Sequence, residues 1–275
     1  MTEEKNGLMK GKKVKFNFVA GCILFGAVCL FALSGLLFMP YDPEAMDVTA
    51  KLAAPSWQHP FGCDNFGRDI FSRVQAGTLV TLLIGVSSVG IGTVFGTILG
   101  ALMGYYEGLV DSSLTRIMDV LFAIPSVLLA LIFISLLGNG NENVIFSLGI
   151  AIVPSFAKMM RREFRTQKQM GYVQTAKMLG ATDFRILFVH ILPNVMPTFL
   201  NCVLISFSNT VLAEAGMSYL GIGVQPPQAS LGRMLSDAQG FLRSAPFYTI
   251  FPGLVMIIML FGICLLSEKG QGKNA

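Results

Sequence analysis

The sequence predicts an all-α, polytopic membrane protein with six transmembrane helices and both termini in the cytoplasm. Three observations carry that expectation. Of 275 residues, 53% are hydrophobic and only 13% charged, whereas soluble domains average about 25% charged. Six apolar runs approach the roughly 20 residues that a helix needs to cross a hydrocarbon core. Lys and Arg are distributed unevenly among the segments between those runs, which sets an orientation.

The first run, Asn17 to Met39, follows Lys10, Lys12, Lys13 and Lys15. It is longer than the roughly 7–15 residues of a signal-peptide core, so an uncleaved anchor is expected. The second run is Leu79 to Met103 and the third Val120 to Leu137. The fourth, Val144 to Ala157, is short and stops at Lys158; it is expected to snorkel its flanking residues or to continue as a helix into the cytoplasm. The fifth is Thr198 to Ala215 and the sixth Thr249 to Leu266.

With the N-terminus inside, the inner segments hold 15 Lys and Arg and the outer loops 5. Seven of the 15 fall in residues 158–197. The expected organisation is a cytoplasmic segment 1–16, a span 17–39, an external loop 40–76, a core 77–266 containing the cytoplasmic loop 158–197, and a cytoplasmic tail 267–275. The formal charge of +4 is split by apolar spans rather than gathered on one soluble face, which argues against nucleic acid.

Cys22, Cys29, Cys63, Cys202 and Cys264 show no metal-binding spacing, and His59 and His190 are far apart. No metal site is expected, and His59 with Asp64 reads as a hydrogen-bonded loop. A nucleotide-binding P-loop is also absent: the segment Gly7 to Lys13 has three residues between its glycines and no Ser or Thr after its lysine.

Residues 158–197 are too polar to span and too patterned for a linker. Val173, Ala176, Leu179 and Gly180 share one helical face by spacing. Gly180 suits a helix end at positive φ, and Thr182 or Asp183 can cap the next helix before Phe184. A short helix with a small-residue face suits docking into a partner's groove. A basic helix lying on anionic lipid fits the same pattern.

Tyr172 to Gly180, the following Ala181 to Arg185, and His190 to Asn194 resemble the coupling loop of ABC-importer permeases of the dipeptide, oligopeptide and nickel branch. The Glu-Ala-Ala signature of that family is Gln174, Thr175 and Ala176 here. Further blocks resemble the same branch in the same order: His59 to Asp64 with Gly67 to Arg73, Met118-Asp119 with Ile124-Pro125, and Ala213 to Gly223 with Pro226-Pro227. The tail, Ser267 to Ala275, departs from the family.

The resemblance implies a type I importer permease fold and no enzymatic activity in this chain. It implies a second permease subunit as heterodimer partner, two cytoplasmic ATP-binding subunits that hold ATP and Mg, and an extracytoplasmic solute-binding protein, all at a bacterial cytoplasmic membrane. This chain itself binds no cofactor in that scheme; lipid is its other contact. Coupling is expected at Tyr172, Val173, Gln174, Ala176, Gly180, Asp183 and Pro193. The implied cargo is peptide, with a nickel or metal-chelate cargo of the same family as the alternative.

Gly92, Gly96, Gly100 and Gly104 form a small-residue face expected to pack against another helix. Glu214 and Ser218 are candidate pathway or gate residues, since ionisable groups in or near spans are functional candidates. An ion-coupled secondary transporter is the remote alternative. It needs carboxylates near the midplane, and no predicted span has a charge at its centre.

Overall fold

A computed structural model describes residues 2–271, with side chains from 16 to 267. The expected segments 1–16 and 267–275 therefore lie almost wholly outside the described side chains. Among the described residues the regular structure is helical, apart from one isolated bridge between Cys63 and Asp69. The helices are α1 (Thr2–Leu37), α2 (Ile70–Tyr105), α3 (Leu109–Phe122), α4 (Ser126–Leu137), α5 (Asn141–Lys168), α6 (Gly171–Met178), α7 (Asp183–Arg185), α8 (Leu192–Tyr219), α9 (Leu231–Ala238) and α10 (Phe247–Gln271).

Among the described residues, five segments are long and apolar enough to cross a membrane: Phe16–Leu37, Ile70–Tyr105, Asn141–Lys168, Asp183–Tyr219 and Phe247–Ser267. The third expected span is not one straight helix from Val120 to Leu137. It is the pair α3 and α4, which meet at 89°. Pro125 causes the break: proline pushes Ile124 away from helical angles, and its own φ −51 and ψ 133 start a new helix at Ser126. α3 thus lies as an amphipathic helix across α2 and α5, with Met118 buried against Met103 and Ala157 and Leu114 and Leu121 beside it, while Ile117 and Phe122 are exposed.

α2 starts nine residues before the expected run. Asp69 caps it, its carboxylate accepting from the Ser72 amide and hydroxyl at 2.8 Å each. The polar first turns, with Ser72, Arg73 and Gln75, are buried in the preceding loop. α5 overruns its apolar stretch to Lys168, with Arg165 and Lys168 in its last turn, where cations favour the negative helix end.

α2 and α5 form the central pair, and the glycines explain how. A Cβ on Gly100 would lie 2.6 Å from the Ala157 carbonyl oxygen, and one on Gly104 2.5 Å from that of Arg161. Gly92 and Gly96 sit in the same way against Ile152 and Phe156. Four glycines a turn apart let the two backbones touch. Such contact substitutes for the hydrophobic drive that lipid removes.

α1 packs along α10, and α8 packs on α2, α5 and α10. The outer faces remain apolar: Leu30, Leu83, Ile98, Leu254 and Phe261 are all exposed, as lipid-facing residues are.

Candidate functional site

The polar segment 158–197 folds against the end of α2. Val173 is buried, with Ala176 beside it, among Phe156, Met160, Phe164, Ile186 and Ile191. The face expected to dock is therefore split: Val173, with Ala176 beside it, turns inward to join that cluster, while Gly180 stays exposed. Leu179, expected on the same face, sits instead at the helix end and points out: Met178 is 88%, Leu179 83% and Phe184 71% exposed.

Gly180 ends the α6 turn at φ +80, a left-handed conformation open to glycine at no steric cost, with nothing within 4 Å of a notional Cβ. Thr182 caps the next helix, its hydroxyl accepting from the Arg185 amide. Asp183 is left free for another task. It accepts from the Tyr105 hydroxyl at 2.6 Å and the Tyr106 hydroxyl at 3.3 Å. Partial burial and the Asp183 charge raise the Tyr106 phenol above its ordinary value, so it stays protonated as a donor.

Tyr105 and Tyr106 were not among the expected site residues; the sequence signal was an adjacent tyrosine pair directly after the last glycine of the packing face. Tyr172 donates to Gln167 at 2.7 Å and Gln174 to the Gln169 carbonyl at 3.3 Å, so both brace α6 against the end of α5. Pro193 is exposed in the first turn of α8. Ahead of it, Ile186–Ile191 is wound as a π-helix. Pro193 lacks an amide and crowds the carbonyl four residues back, and one extra residue in the turn relieves both.

The chain thus presents a tightly held polar loop with an apolar tip at one end of a membrane bundle. Residues 96–269, which include the whole loop, match the family described as binding-protein-dependent transport system inner membrane component. The chain belongs to this family. It is an inner-membrane, multi-pass permease.

Relatives agree with that membership. The chain is 39% identical over 231 residues, 84% of its length and 77% of the relative's, to the glutathione transport system permease protein GsiD of Pectobacterium atrosepticum. It is 33% identical over 259 residues, 94% and 85% of the two chains, to the dipeptide transport system permease protein DppC of Alkalihalophilus pseudofirmus. A solved structure, an inward-facing conformation of the MetNI methionine ABC transporter, superposes with a TM-score of 0.60 at 18% identity, over 74% of this chain and 95% of that one. At that identity the likeness speaks to the fold.

At the opposite end of the permease, the segment 40–69 folds around buried charges. Asp64 takes amide hydrogen bonds from Phe66 and Arg68 at 2.8 and 2.9 Å and one from the Arg68 guanidinium at 2.6 Å. Arg73 lies 3.6 Å from the same carboxylate and donates to the Pro43 carbonyl at 3.0 Å. His59 pairs with Asp69 at 2.9 Å rather than with Asp64. This is a loop held by hydrogen bonds.

Glu214 and Ser218 lie deeper at that end, both fully buried. The Ser218 hydroxyl donates to Glu214 at 2.6 Å, and the Thr81 hydroxyl approaches it at 3.5 Å. Thr81 in turn accepts from the Leu231 amide at 3.2 Å, and Ser218 from the Val224 amide at 3.1 Å. The cluster ties α8 to α2 and to the start of α9. Thr81 and Ser230 complete it, and nothing in their local sequence marked them.

Proposed function

We propose that this permease couples to soluble ATP-binding subunits through the tip formed by Met178, Leu179 and Phe184. The observation that carries the reading is three large apolar side chains exposed together on a loop whose backbone is held from below. Val173 anchors α6 in the core, and Asp183 is gripped by Tyr105 at the end of α2 and by Tyr106 just after it. A rigid, desolvatable apolar tip suits insertion into a partner's groove. Tyr172, Val173, Gln174, Ala176, Gly180, Asp183 and Pro193 then act by holding that tip in place.

In this scheme the loop and both termini face the cytoplasm, in keeping with the excess of Lys and Arg on that side. Two partner subunits bind ATP and Mg, a second permease completes the pathway, and a solute-binding protein delivers cargo to the other face. ATP binding and cargo delivery bias one equilibrium between two openings. The names of GsiD and DppC make small peptides, glutathione included, the cargo class.

The test is Leu179→Asp with Met178→Asp. Both side chains point away from the fold, so the permease should insert and purify normally. Retention of the ATP-binding subunits on the purified permease should fall at least about tenfold, as expected for a lost apolar anchor, and ATP-dependent uptake of a labelled dipeptide should stop. Undiminished retention would overturn the assignment of the tip.

A further inference from the structure

Between α3 and α5, beside the loop but apart from its tip, lies an open cleft of about 620 Å³. One wall is a continuous stripe of α5: Lys158, Arg161, Arg162 and Arg165 project from it at helical spacing. The other wall is α3, which contributes Thr115 and Asp119.

The charges in this cleft do not balance. Lys158 pairs with Asp119 at 2.7 Å, and Arg161 makes a two-point contact with Asp111 at 2.6 and 2.7 Å. Among the described residues, Arg162 and Arg165 have no carboxylate within 4.0 Å. Two guanidinium groups thus flank the cleft outside any ion pair, Arg165 within longer electrostatic reach of Asp111 only. Guanidinium forks suit phosphate oxygens, which accept paired N–H groups.

The position of the cleft selects the form of the phosphate. α5 changes from apolar to basic at Lys158, which marks the edge of the hydrocarbon. α3 turns 89° from α4 at the same level, and its exposed Ile117, Val120 and Phe122 offer an apolar surface next to the cationic one. Lys158 lies over the Phe122 ring at 3.9 Å, joining the two surfaces. A ligand that fits both is charged at one end and hydrocarbon at the other.

We infer that the cleft between α3 and α5 binds the phosphate headgroup of an anionic phospholipid, with the acyl chains lying along α3. Arg162 and Arg165 hold the phosphate; Lys158 and Arg161, already paired, fix the α3 wall. Basic pockets between membrane helices at headgroup level bind anionic lipids in this way. Neither arginine belongs to the tip or its supports, so this site and the coupling surface can be tested separately.

The experiment compares lipid retained by the full chain purified with its partner subunits from mixed vesicles of phosphatidylglycerol and phosphatidylcholine. The wild type should retain phosphatidylglycerol preferentially. Arg162→Gln with Arg165→Gln should reduce the preference by about fivefold for each arginine lost, while Arg162→Lys with Arg165→Lys keeps most of it and both variants remain assembled. No preference in the wild type, or an unchanged preference in the Gln variant, would overturn the inference. Loss of retention in tens of millimolar inorganic phosphate would assign the cleft to a free anion and overturn the lipid assignment.

Discussion

Asp64 shows most clearly what a single side chain does in this permease. It is fully buried and is the nearest carboxylate to two arginines that are themselves almost wholly buried. Removing one member of a buried ion pair strands the others, at a cost of about 3–5 kcal/mol. Asp64→Asn should therefore lower thermal stability sharply, read as loss of monodisperse protein on heating in detergent, whereas Asp42→Asn at an exposed position should not. Cys63 next door is equally buried, and that burial, together with Asp69, Asp64 and Asp47, pushes its thiol up to about 11. The thiolate fraction at pH 8 is then roughly a thousandth. Maleimide should leave Cys63 unmodified at pH 8 in the native protein and label it after denaturation; labelling that saturates near pH 9 in the native protein would contradict the assignment. The sequence marked His59 with Asp64 as a loop held by hydrogen bonds. It did not reveal that His59 would choose Asp69, because that depends on where the cap of α2 places a carboxylate.

For the helices, the α2–α5 contact is the most demanding. Gly100→Ala would set a Cβ 2.5 Å from the Met160 Cβ and 2.6 Å from a backbone oxygen that cannot move aside. Overpacking of this kind costs about 1–3 kcal/mol or more. Gly90, on the same helix with nothing within 4 Å, is the control: alanine there should be neutral or stabilise by up to about 1 kcal/mol. Comparing expression and melting of the two variants reads the difference. The spacing of the four glycines was legible in the sequence because it is a local pattern. The break between α3 and α4 was less so. A hydropathy run ignores backbone angles, so Val120 to Leu137 passed as continuous although Pro125 sits inside it. The facing of α6 was misread for a related reason: helical spacing groups Val173, Ala176 and Leu179 together, but only the surrounding cluster decides which side of that face is buried, and Leu179 leaves the helix just as the turn ends at Gly180.

For the molecule as a whole, charge counting and apolar runs were enough to expect a multi-pass membrane protein, since both follow from the bilayer acting as solvent; only the resemblance of the loop and its flanking blocks named a permease. They could not supply the links between distant segments, such as Tyr105 to Asp183 or Thr81 to Glu214, which no local window contains. Tyr105→Phe deletes the shorter of the two bonds to Asp183 while keeping the ring. It should leave insertion intact and reduce transport-linked ATP hydrolysis more than the basal rate of the same preparation; equal loss of both would point to a merely structural role. These links give α8 a particular mechanical character. It begins at the π-turn beside the loop, and Glu214 lies roughly 33 Å along it at about 1.5 Å per residue. A rod of that length acts as a lever: a tilt of about 3° at one end carries the other about 2 Å. The hydroxyl contact from Thr81 to Glu214, already stretched at 3.5 Å, has no slack to absorb such a swing, so a nudge at the π-turn would be read at the far face as a parted bond.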